Sequence, residues 1–393
     1  MTPVRPLVGL AALTALVLLM TMAGLGEDAF TIAAVVAFIP LPIYLAMALW
    51  LDRFEPEPRA LLAMAFLWGA SVAIVISGIV NGIMDSTVGE WWSSVLTAPF
   101  TEEVLKGYIL YRFYRRRRDE FDGVIDGVIY AAMVGLGFAF AENVDYYGRA
   151  FVKEGVAGLA ITFTLRGLMS AFSHPLFTSM TGIGLGIARL SPRRWVRVVA
   201  PVAGLTGAVA LHALWNAGAS AGLVFFAIYA GIMMPALAAL LLVAFFALKF
   251  EGRVIRTHLA AEAATGLLTP AEYAQLCSVR GRLHASSTAF RQGGFAGWRK
   301  RRAYHRAASE LAFLRHRAAR DGAALDVALE AAHLCGLGAV PLAVTAPAPP
   351  PDASPDASPL PDAASIPAPG AGPVPVADPA PPAPGAPPPA PSA

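Results

Sequence analysis

Long apolar stretches separated by short polar loops occupy roughly the first two thirds of the chain. Eight of these stretches contain about 20 or more mostly apolar residues, the length that a helix needs to cross a bilayer. They cover residues 6–25, 29–51, 60–81, 93–111, 123–146, 157–188, 197–218 and 222–248. The sixth is long enough to be tilted, broken or extended past the bilayer. The pattern predicts an all-α fold, a polytopic transmembrane helix bundle with about eight spans.

The pattern changes after the last apolar stretch. Residues 251–340 mix arginine, alanine, leucine and glutamate with helical periodicity, and residues 341–393 are mostly proline, alanine, glycine, serine and aspartate. In the first part, Thr269 followed by Pro270 predicts a helix start, with a capping residue before a proline at the first helical position. We therefore expect a transmembrane domain over residues 1–250, a cytosolic helical segment, and a disordered tail that cannot bury enough apolar surface to fold.

Composition agrees with a membrane location. The 393 residues are 56% hydrophobic and only 15% charged, and the mean hydropathy is +0.57, whereas soluble domains contain about 25% charged residues. The two cysteines, Cys277 and Cys335, both follow the last apolar stretch and do not form a metal-binding spacing. The length therefore does not represent two or three soluble domains, and the cysteines indicate no metal chemistry.

Arginine and lysine residues lie at alternate ends of the apolar stretches. If the N-terminus is cytoplasmic, fifteen of them fall on the inner side and only Arg149 and Lys153 on the outer side. The fifteen are Arg5, Arg53, Arg59, Arg112, Arg115, Arg116, Arg117, Arg118, Arg189, Arg193, Arg194, Arg197, Lys249, Arg253 and Arg256. By the positive-inside rule, this asymmetry predicts a multi-pass protein of the bacterial inner membrane with both termini in the cytoplasm.

The first stretch has an alternative interpretation as a secretory signal peptide, because Arg5 precedes an apolar run. That run is longer than a usual signal-peptide core, and no A-x-A cleavage site precedes Gly26. An uncleaved membrane anchor is therefore preferred, and either interpretation leaves the orientation of the other helices unchanged.

Ionisable side chains more than three residues from the end of a span occur in four consecutive spans, the fourth to the seventh. They are Glu102, Glu103, Lys106, Glu142, Arg166, His174 and His212. The other four spans contain no acidic, basic or histidine residue. A charge near the bilayer centre costs several kcal/mol and usually has a function. This distribution predicts one polar site inside a bundle of spans four to seven.

Helical spacing supports convergence on one site. Lys106 follows Glu102 by four residues and Glu103 by three, so it can lie beside either carboxylate on one helix face. His212 and Asn216 are four residues apart, so both should point into the same cavity.

The sixth span carries a polar stripe at a spacing of four residues. Its members are Thr162, Arg166, Ser170, His174 and Thr178. Pro99 and Pro175 lie next to the polar residues, and each removes a backbone hydrogen bond one turn earlier. Broken helices within the membrane often open a polar cavity, so we expect one here.

Four short motifs follow one another along these spans. They are Glu102-Glu103-Val104-Leu105-Lys106, Phe138-Ala139-Phe140-Ala141-Glu142-Asn143, Ser173-His174-Pro175 and His212-Ala213-Leu214-Trp215-Asn216. In this order, and each inside a span, they resemble the EExxK, FxxxEN, histidine and HxxxN motifs of the PrsW family of membrane proteases. That family is related to the CAAX-protease and bacteriocin-processing membrane enzymes. The resemblance covers about residues 30–250.

The resemblance implies hydrolysis of a peptide bond in a membrane-anchored protein substrate. PrsW-like proteins are associated with cleavage of membrane-anchored anti-sigma factors, but the sequence of this chain does not identify its own substrate. The resemblance also implies metal assistance, and Zn²⁺ suits imidazole and carboxylate ligands. In this interpretation Glu142, His174 and His212 are the metal ligands, and Glu102 or Glu103 is the general base. Lys106 neutralises and orients the carboxylate pair, and Asn216 donates to the developing oxyanion. Without metal, the two adjacent glutamates become the catalytic centre.

Each of these residues also has a purely structural interpretation. Glu103 and Lys106 are also consistent with an intramembrane ion pair. His212 and Asn216 are consistent with a hydrogen-bonded pair between helices, and His174 is consistent with a core histidine whose hydrogen bonds are satisfied. Arg166 is either a partner of Glu142 or a ligand for phosphate at the outer surface, and Asn143 is either a cap or a bond between helices. Trp91, Trp92, Tyr146 and Tyr147 are typical of the interfacial aromatic belt.

Two other functions remain as alternatives to a protease. A transporter or proton relay also uses acidic and histidine residues in broken helices, but we find no internal repeat between spans one to four and five to eight. A non-catalytic scaffold would not need every motif residue, and none is missing.

The basic cluster at residues 299–302, at the start of a helix expected over 300–319, suits the inner leaflet better than nucleic acid. The expected partners are thus the bilayer and a protein substrate, with no nucleic acid and no indicated oligomeric state.

Overall fold

The computed structural model describes residues 4–322 and 324–338, and all regular structure in these residues is helical. The helices are α1 (Val4–Leu25), α2 (Glu27–Phe38), α3 (Leu41–Leu51), α4 (Arg59–Trp68), α5 (Ile74–Val88), α6 (Glu90–Trp92), α7 (Ala98–Arg116), α8 (Val124–Phe163), α9 (Ser173–Leu190), α10 (Arg194–Ala219), α11 (Val224–Ile228), α12 (Met234–His258), α13 (Ala260–Ala264), α14 (Pro270–Leu276), α15 (Val279–Asp321) and α16 (Val327–Gly336). The predicted all-α class is confirmed. The predicted disordered tail, residues 341–393, lies outside the described residues.

Wider π-helical turns lie between several of these helices. They are Gly69–Ala73, Ser93–Thr97, Thr164–Met169 and Tyr229–Met233. Insertions of this kind occur mostly as single turns and are frequent at functional sites. Two of the four flank the polar residues of the predicted site, one before α7 and one before α9.

Six helical segments of the described chain are long and apolar enough to cross a membrane. They are Arg5–Leu25, Glu27–Leu51, Arg59–Val88, Val124–Leu190, Arg194–Ala219 and Val224–His258. The charged residues of α7 exclude it from this set by composition, although its 19 residues would span about 28 Å. The protein is therefore a multi-pass membrane protein, and the crossing of all eight predicted spans stays a prediction.

The segment Val124–Leu190 folds back on itself. Its 67 residues would form a rod about 100 Å long as one straight helix, more than three times the apolar thickness of a bilayer. The backbone leaves helical geometry at Gly155, with φ 64° and ψ −151°, and again at residues 170–172. A Cβ atom at Gly127 would lie 2.2 Å from the carbonyl oxygen of Gly182, so the two arms pack backbone against backbone. The segment thus provides the fifth and sixth predicted spans, and the sixth is broken.

The loops that carry most arginines lie together at one end of the bundle, which we call the arginine-rich end. The guanidinium of Arg189 donates to the carbonyl of Phe121 across two of these loops, at 2.8 Å. The C-terminal helices pack on the same end, where Arg317 contacts Glu55 at 2.5 Å and Asp122 at 3.3 Å. The helical segment after residue 250 is therefore attached to the bundle rather than separate from it.

One of these C-terminal helices, α14, begins as its sequence predicts. Pro270 is the first residue of α14, and the hydroxyl of Thr269 accepts a hydrogen bond from the backbone N–H of Glu272 at 3.2 Å. The Glu272 carboxylate in turn accepts from the Thr269 N–H at 3.1 Å, which completes a capping box. The helix expected over residues 300–319 lies inside α15, which is broken at Gly293 and Gly294.

Gly135 allows the start of α9 to approach α8, and its substitution is expected to disturb the site. A Cβ atom at Gly135 would lie 2.6 Å from the Pro175 nitrogen and 2.9 Å from the His174 carbonyl oxygen. We expect Gly135→Ala to lower the free energy of unfolding by about 1–3 kcal/mol, because the backbone of α9 must shift to admit the methyl group. Thermal unfolding of the purified protein in detergent measures this change.

Gly78→Ala is the matched control, because Gly78 also lies inside a predicted span and a Cβ atom there would meet nothing within 4 Å. Alanine favours a helix over glycine, so this variant should be as stable as the wild type or slightly more stable. Equal melting temperatures for both variants would contradict the close packing of α8 and α9.

Candidate active site

The structure brings all seven predicted site residues into one cluster. α7 carries Glu102, Glu103 and Lys106, α8 carries Glu142, α9 carries His174, and α10 carries His212 and Asn216. Glu103 and Lys106 have no exposed surface, and Glu102, His174 and His212 are also buried. The cluster is therefore a polar site enclosed by an otherwise apolar bundle.

The break in the sixth span places His174 at the beginning of a helix. Ser173 is the first residue of α9, after the non-helical residues 170–172. Backbone carbonyls that the break leaves without helical partners are hydrogen-bonded by side chains. The Ser170 hydroxyl donates to Leu165 O at 2.7 Å, and the Tyr229 hydroxyl donates to Met169 O at 3.0 Å. The break is thus satisfied inside the bundle, as membrane proteins require.

Lys106 is the central cation of the cluster. Its Nζ lies 3.1 Å from Glu102 Oε2 and 3.0 Å from Glu103 Oε1, and 3.1 Å from His174 Nδ1. The ammonium also lies 3.7 Å from the centre of the Phe138 ring. Its three N–H donors match these three acceptors. Lys106 therefore compensates the adjacent glutamates and fixes their orientation.

Each site histidine has a carboxylate at one ring nitrogen. His212 Nδ1 lies 3.0 Å from Glu103 Oε1, and His174 Nε2 lies 3.0 Å from Glu142 Oε2. The Thr178 hydroxyl donates to the other oxygen of Glu103 at 2.9 Å. Carboxylates behind imidazoles are typical of metal sites, where they fix the tautomer and orientation of the ligand. This arrangement leaves Nε2 of His212 facing Glu102 at 3.9 Å, whereas Nδ1 of His174 faces Lys106.

Three side chains are close enough to share one metal ion. Glu102, His174 and His212 each offer a ligand atom, and these atoms lie within 4.8 Å of one another. Two imidazoles and one carboxylate form the donor set of several catalytic zinc sites, so the residues fit this metal. The group differs from the ligand set that the family resemblance implies, since Glu102 takes the place of Glu142. His212 Nε2 lies 3.9 Å from Glu102 Oε2.

Glu142 is instead paired with Arg166. An Arg166 Nη2 contacts Glu142 Oε2, and Arg166 Nε donates to Asn143 Oδ1 at 2.7 Å. The guanidinium also lies 3.9 Å from the centre of the Tyr146 ring. Of the two interpretations of Arg166 from sequence, the structure favours the partner of Glu142. Asn143 bonds between helices, and its role in holding Arg166 was not evident from helical spacing.

A cavity of about 450 Å³ leads from the cluster to the end of the bundle opposite the arginines. Glu102, Glu142, His174 and His212 line its inner part. Its outer part is lined by Asp85, Glu90 and Ser220 among others, which lie at helix ends. Sequence analysis did not identify these outer residues, because polar side chains are common where spans end.

Asn216 also lines this cavity. Its Nδ2 donates to the carbonyl oxygen of Ser94 at 2.7 Å, so the amide is held against the π-helical turn before α7. One N–H of a side-chain amide used in this way leaves the second for another acceptor. The position is therefore compatible with the predicted contact to substrate.

Residues 57–244 match the family model described as PrsW family intramembrane metalloprotease. Among curated proteins, the chain is similar to the Protease PrsW of Geobacillus kaustophilus, with 32% identity over 148 residues, which is 36% of this chain and 60% of the relative. It is similar to the Protease PrsW of Bacillus subtilis, with 31% identity over 142 residues, or 36% and 61% of the two chains. The matches thus span about three fifths of these relatives. No solved structure matches the chain.

Proposed function

We propose that this chain, which belongs over residues 57–244 to the PrsW family of intramembrane metalloproteases, is a peptidase that cleaves a membrane-anchored protein substrate. The observation that carries the proposal is the group formed by Glu102, His174 and His212, buried at the inner end of a cavity that reaches the bundle surface. Peptide hydrolysis needs a polarised carbonyl, a proton acceptor and access for water. The lining of this cavity supplies groups suited to each requirement.

Glu102, His174 and His212 would hold the metal, and Zn²⁺ suits this donor set. When bound, the ion would polarise the substrate carbonyl and lower the pKa of water towards about 7. Glu103 and Glu142 lie behind the two imidazoles and keep each ring in one orientation. Glu103 is thus a positioning residue, since it is fully buried and does not line the cavity.

Glu142 is the second carboxylate in the cavity wall, and we assign it as the acceptor of the proton from the attacking water. Arg166 compensates its charge and fixes its position. Asn216, anchored by one N–H to Ser94, donates the other to the oxyanion that develops on the substrate. Lys106 balances the charges of the adjacent glutamates, so that the buried site is not left with uncompensated carboxylates.

A packed layer on the inner side of the site favours hydrolysis over transport. Leu110, Phe113 and Tyr130 lie between the cluster and the arginine-rich end, and each is at most 3% exposed. A transporter must open its site to each side in turn, whereas a protease requires access from one side. The one-sided cavity therefore meets the requirement of the enzyme, and the transporter considered from sequence would need a second, inward-open conformation.

The arginine distribution and the cavity together suggest where cleavage occurs. With the arginine-rich end in the cytoplasm of a bacterial cell, the cavity opens to the outside. Glu102 lies about 21 Å along α7 from Arg116, in the outer part of an apolar layer about 30 Å thick. The substrate bond is then near the outer surface of the inner membrane, where an anti-sigma factor with one span could present it for regulatory proteolysis.

This orientation predicts the location of reporters in the living cell. A reporter fused after Arg118 is expected to be cytoplasmic, and one inserted near Lys153 is expected to be external, because fifteen basic residues lie on the first side and two on the second. Alkaline phosphatase, active only outside, and a cytoplasmic fluorescent protein measure the two positions. Reporters found on the same side would contradict the span assignment.

Zinc content tests the proposed function directly. We expect the purified wild-type protein to contain about one zinc ion per chain, and a strong chelator to stop cleavage of a membrane-anchored test substrate until zinc is returned. Elemental analysis and cleavage assays measure the two quantities. A Cys277→Ser/Cys335→Ser variant is the control for adventitious binding to thiols and should keep its zinc.

Full activity after complete removal of metal would support the assignment as a peptidase and exclude zinc from its mechanism. The Glu102–Glu103 pair would then be the catalytic centre, with one carboxyl protonated and one ionised. Absence of cleavage in a metal-loaded, folded protein with several membrane-anchored substrates would count against the peptidase itself.

A further inference from the structure

A second cavity, of about 820 Å³, lies at the arginine-rich end of the bundle. It is enclosed by the ends of α7, α9 and α10 and by the helix α15. Six arginines line it: Arg115, Arg118, Arg189, Arg197, Arg317 and Arg320. Asp119 and Asp326 are its acidic residues. The lining therefore has a formal excess of four positive charges, and the proposed peptidase chemistry uses none of these side chains.

Several of these arginines are held by neutral groups. Arg189 Nε donates to Phe121 O at 2.8 Å, and Arg197 Nε donates to Ser191 O at 2.9 Å. Backbone carbonyls orient a guanidinium but do not cancel its charge. Arg317 differs, because it pairs with carboxylates of the neighbouring loops. Arg189 and Arg197 thus keep their charge available for an anion.

Arg115 and Arg118 are exposed at the rim of the cavity. Within residues 4–322 and 324–338, neither side chain forms a hydrogen bond or ion pair. Two flexible cations of this kind, beside fixed ones, can close around an anion without breaking an existing contact. They also offer a way to test the cavity without disturbing the fold.

The rim also includes apolar surface that faces the surroundings of the bundle. Tyr111 and Val198 line the cavity, and they are 50% and 66% exposed. Both lie near the ends of helices of the bundle, α7 and α10, and α10 belongs to a candidate membrane span. Leu314 of α15 completes an apolar wall. A ligand with a charged head and an apolar body matches this combination better than a small inorganic ion.

We propose that this cavity binds a phosphate ester, supplied by the headgroup of an anionic phospholipid. Guanidinium groups bind phosphate oxygens through paired, charge-assisted hydrogen bonds, and basic pockets between helices at the cytoplasmic face bind anionic headgroups. The arginines come from the membrane bundle and from α15. The bound headgroup therefore ties the C-terminal helices to the bundle and to the lipid beside it.

Lipid titration of the full chain tests this proposal. The purified protein in a neutral detergent is titrated with dioleoyl phosphatidylglycerol, dioleoyl phosphatidylcholine or glycerol 3-phosphate, and binding is followed by native mass spectrometry. We expect selective binding of phosphatidylglycerol, weakened about tenfold or more by Arg115→Gln/Arg118→Gln. The matched control is Arg193→Gln/Arg194→Gln, which removes two exposed charges at the same end, outside the cavity lining. The control should bind within about twofold of the wild type.

Equal weakening in both double variants would indicate diffuse attraction to the surface and overturn the cavity as the site. Equal binding of phosphatidylglycerol and phosphatidylcholine by the wild type would overturn it as well. Tight binding of glycerol 3-phosphate that is lost only in the cavity variant would support the phosphate site and overturn the lipid as its source. Elution of each variant as the wild type in gel filtration confirms that folding is not the cause.

Discussion

Replacing His212 by alanine is expected to abolish cleavage and metal binding while the protein still accumulates in the membrane. His212 is one of the three side chains that can share an ion, and it is only 3% exposed. Loss of a partner behind a metal ligand already costs about 10–100-fold, so loss of the ligand itself should reduce the cleavage rate by more than about 100-fold. Glu103 keeps Lys106 and Thr178 as partners in the variant, which preserves the fold.

The rate of cleavage of a membrane-anchored test substrate and the zinc content per chain measure this effect. His284→Ala is the control, because His284 is exposed on α15, away from the site, and should leave both quantities unchanged. A His212→Ala protein that cleaves at the wild-type rate would rule out the site.

The second large effect distinguishes the metal ligand from the proton acceptor. Glu102→Gln is expected to lose both zinc and cleavage, because Glu102 groups with both histidines and a neutral amide is a poor ligand for Zn²⁺. Glu142→Gln is expected to keep most of the zinc and to lower the cleavage rate by about 10²–10⁴-fold, the usual contribution of a general base. Glutamine keeps the shape of the side chain, and its amide oxygen can still accept from Arg166.

Parallel zinc and rate measurements on the two variants check this assignment, with Glu154→Gln, an exposed glutamate of α8, as the control for loss of one negative charge. The opposite outcome, in which Glu142→Gln loses zinc and Glu102→Gln keeps it, would restore the ligand set that the family resemblance implies. Wild-type cleavage by both variants would exclude both carboxylates from the reaction.

The site residues could be identified from sequence because a charged side chain inside a membrane costs free energy. Seven ionisable residues lie more than three residues from the ends of spans four to seven, and each costs free energy in an apolar bundle unless it has a partner or function. Spacing also identified contacts within one helix, and Lys106 does lie beside Glu102 and Glu103. Backbone geometry sets these contacts, because residues three or four apart share a face of any α-helix.

Contacts between different helices could not be predicted from the spacing of residues along one helix. The sequence offers Glu102 and Glu142 as carboxylates for the same site, yet only Glu102 groups with both histidines, whereas Glu142 pairs with Arg166 and with His174 alone. The outcome depends on the rotation and depth of each helix, which close backbone contacts such as that of Gly135 with Pro175 determine. Spacing along one helix contains no information about either quantity.

The sequence by itself determined the all-α class, the apolar segments, the cap of α14 and the set of polar residues, since each follows from local backbone preference or from transfer into lipid. Only the tertiary structure decided where the sixth span breaks, which of the offered partners Glu142 takes, and the arginine cavity. Arg115, Arg189 and Arg317 belong to three helices far apart in the chain. Their charges converge because the helices pack, and packing depends on side-chain shape across the whole bundle rather than on any one segment.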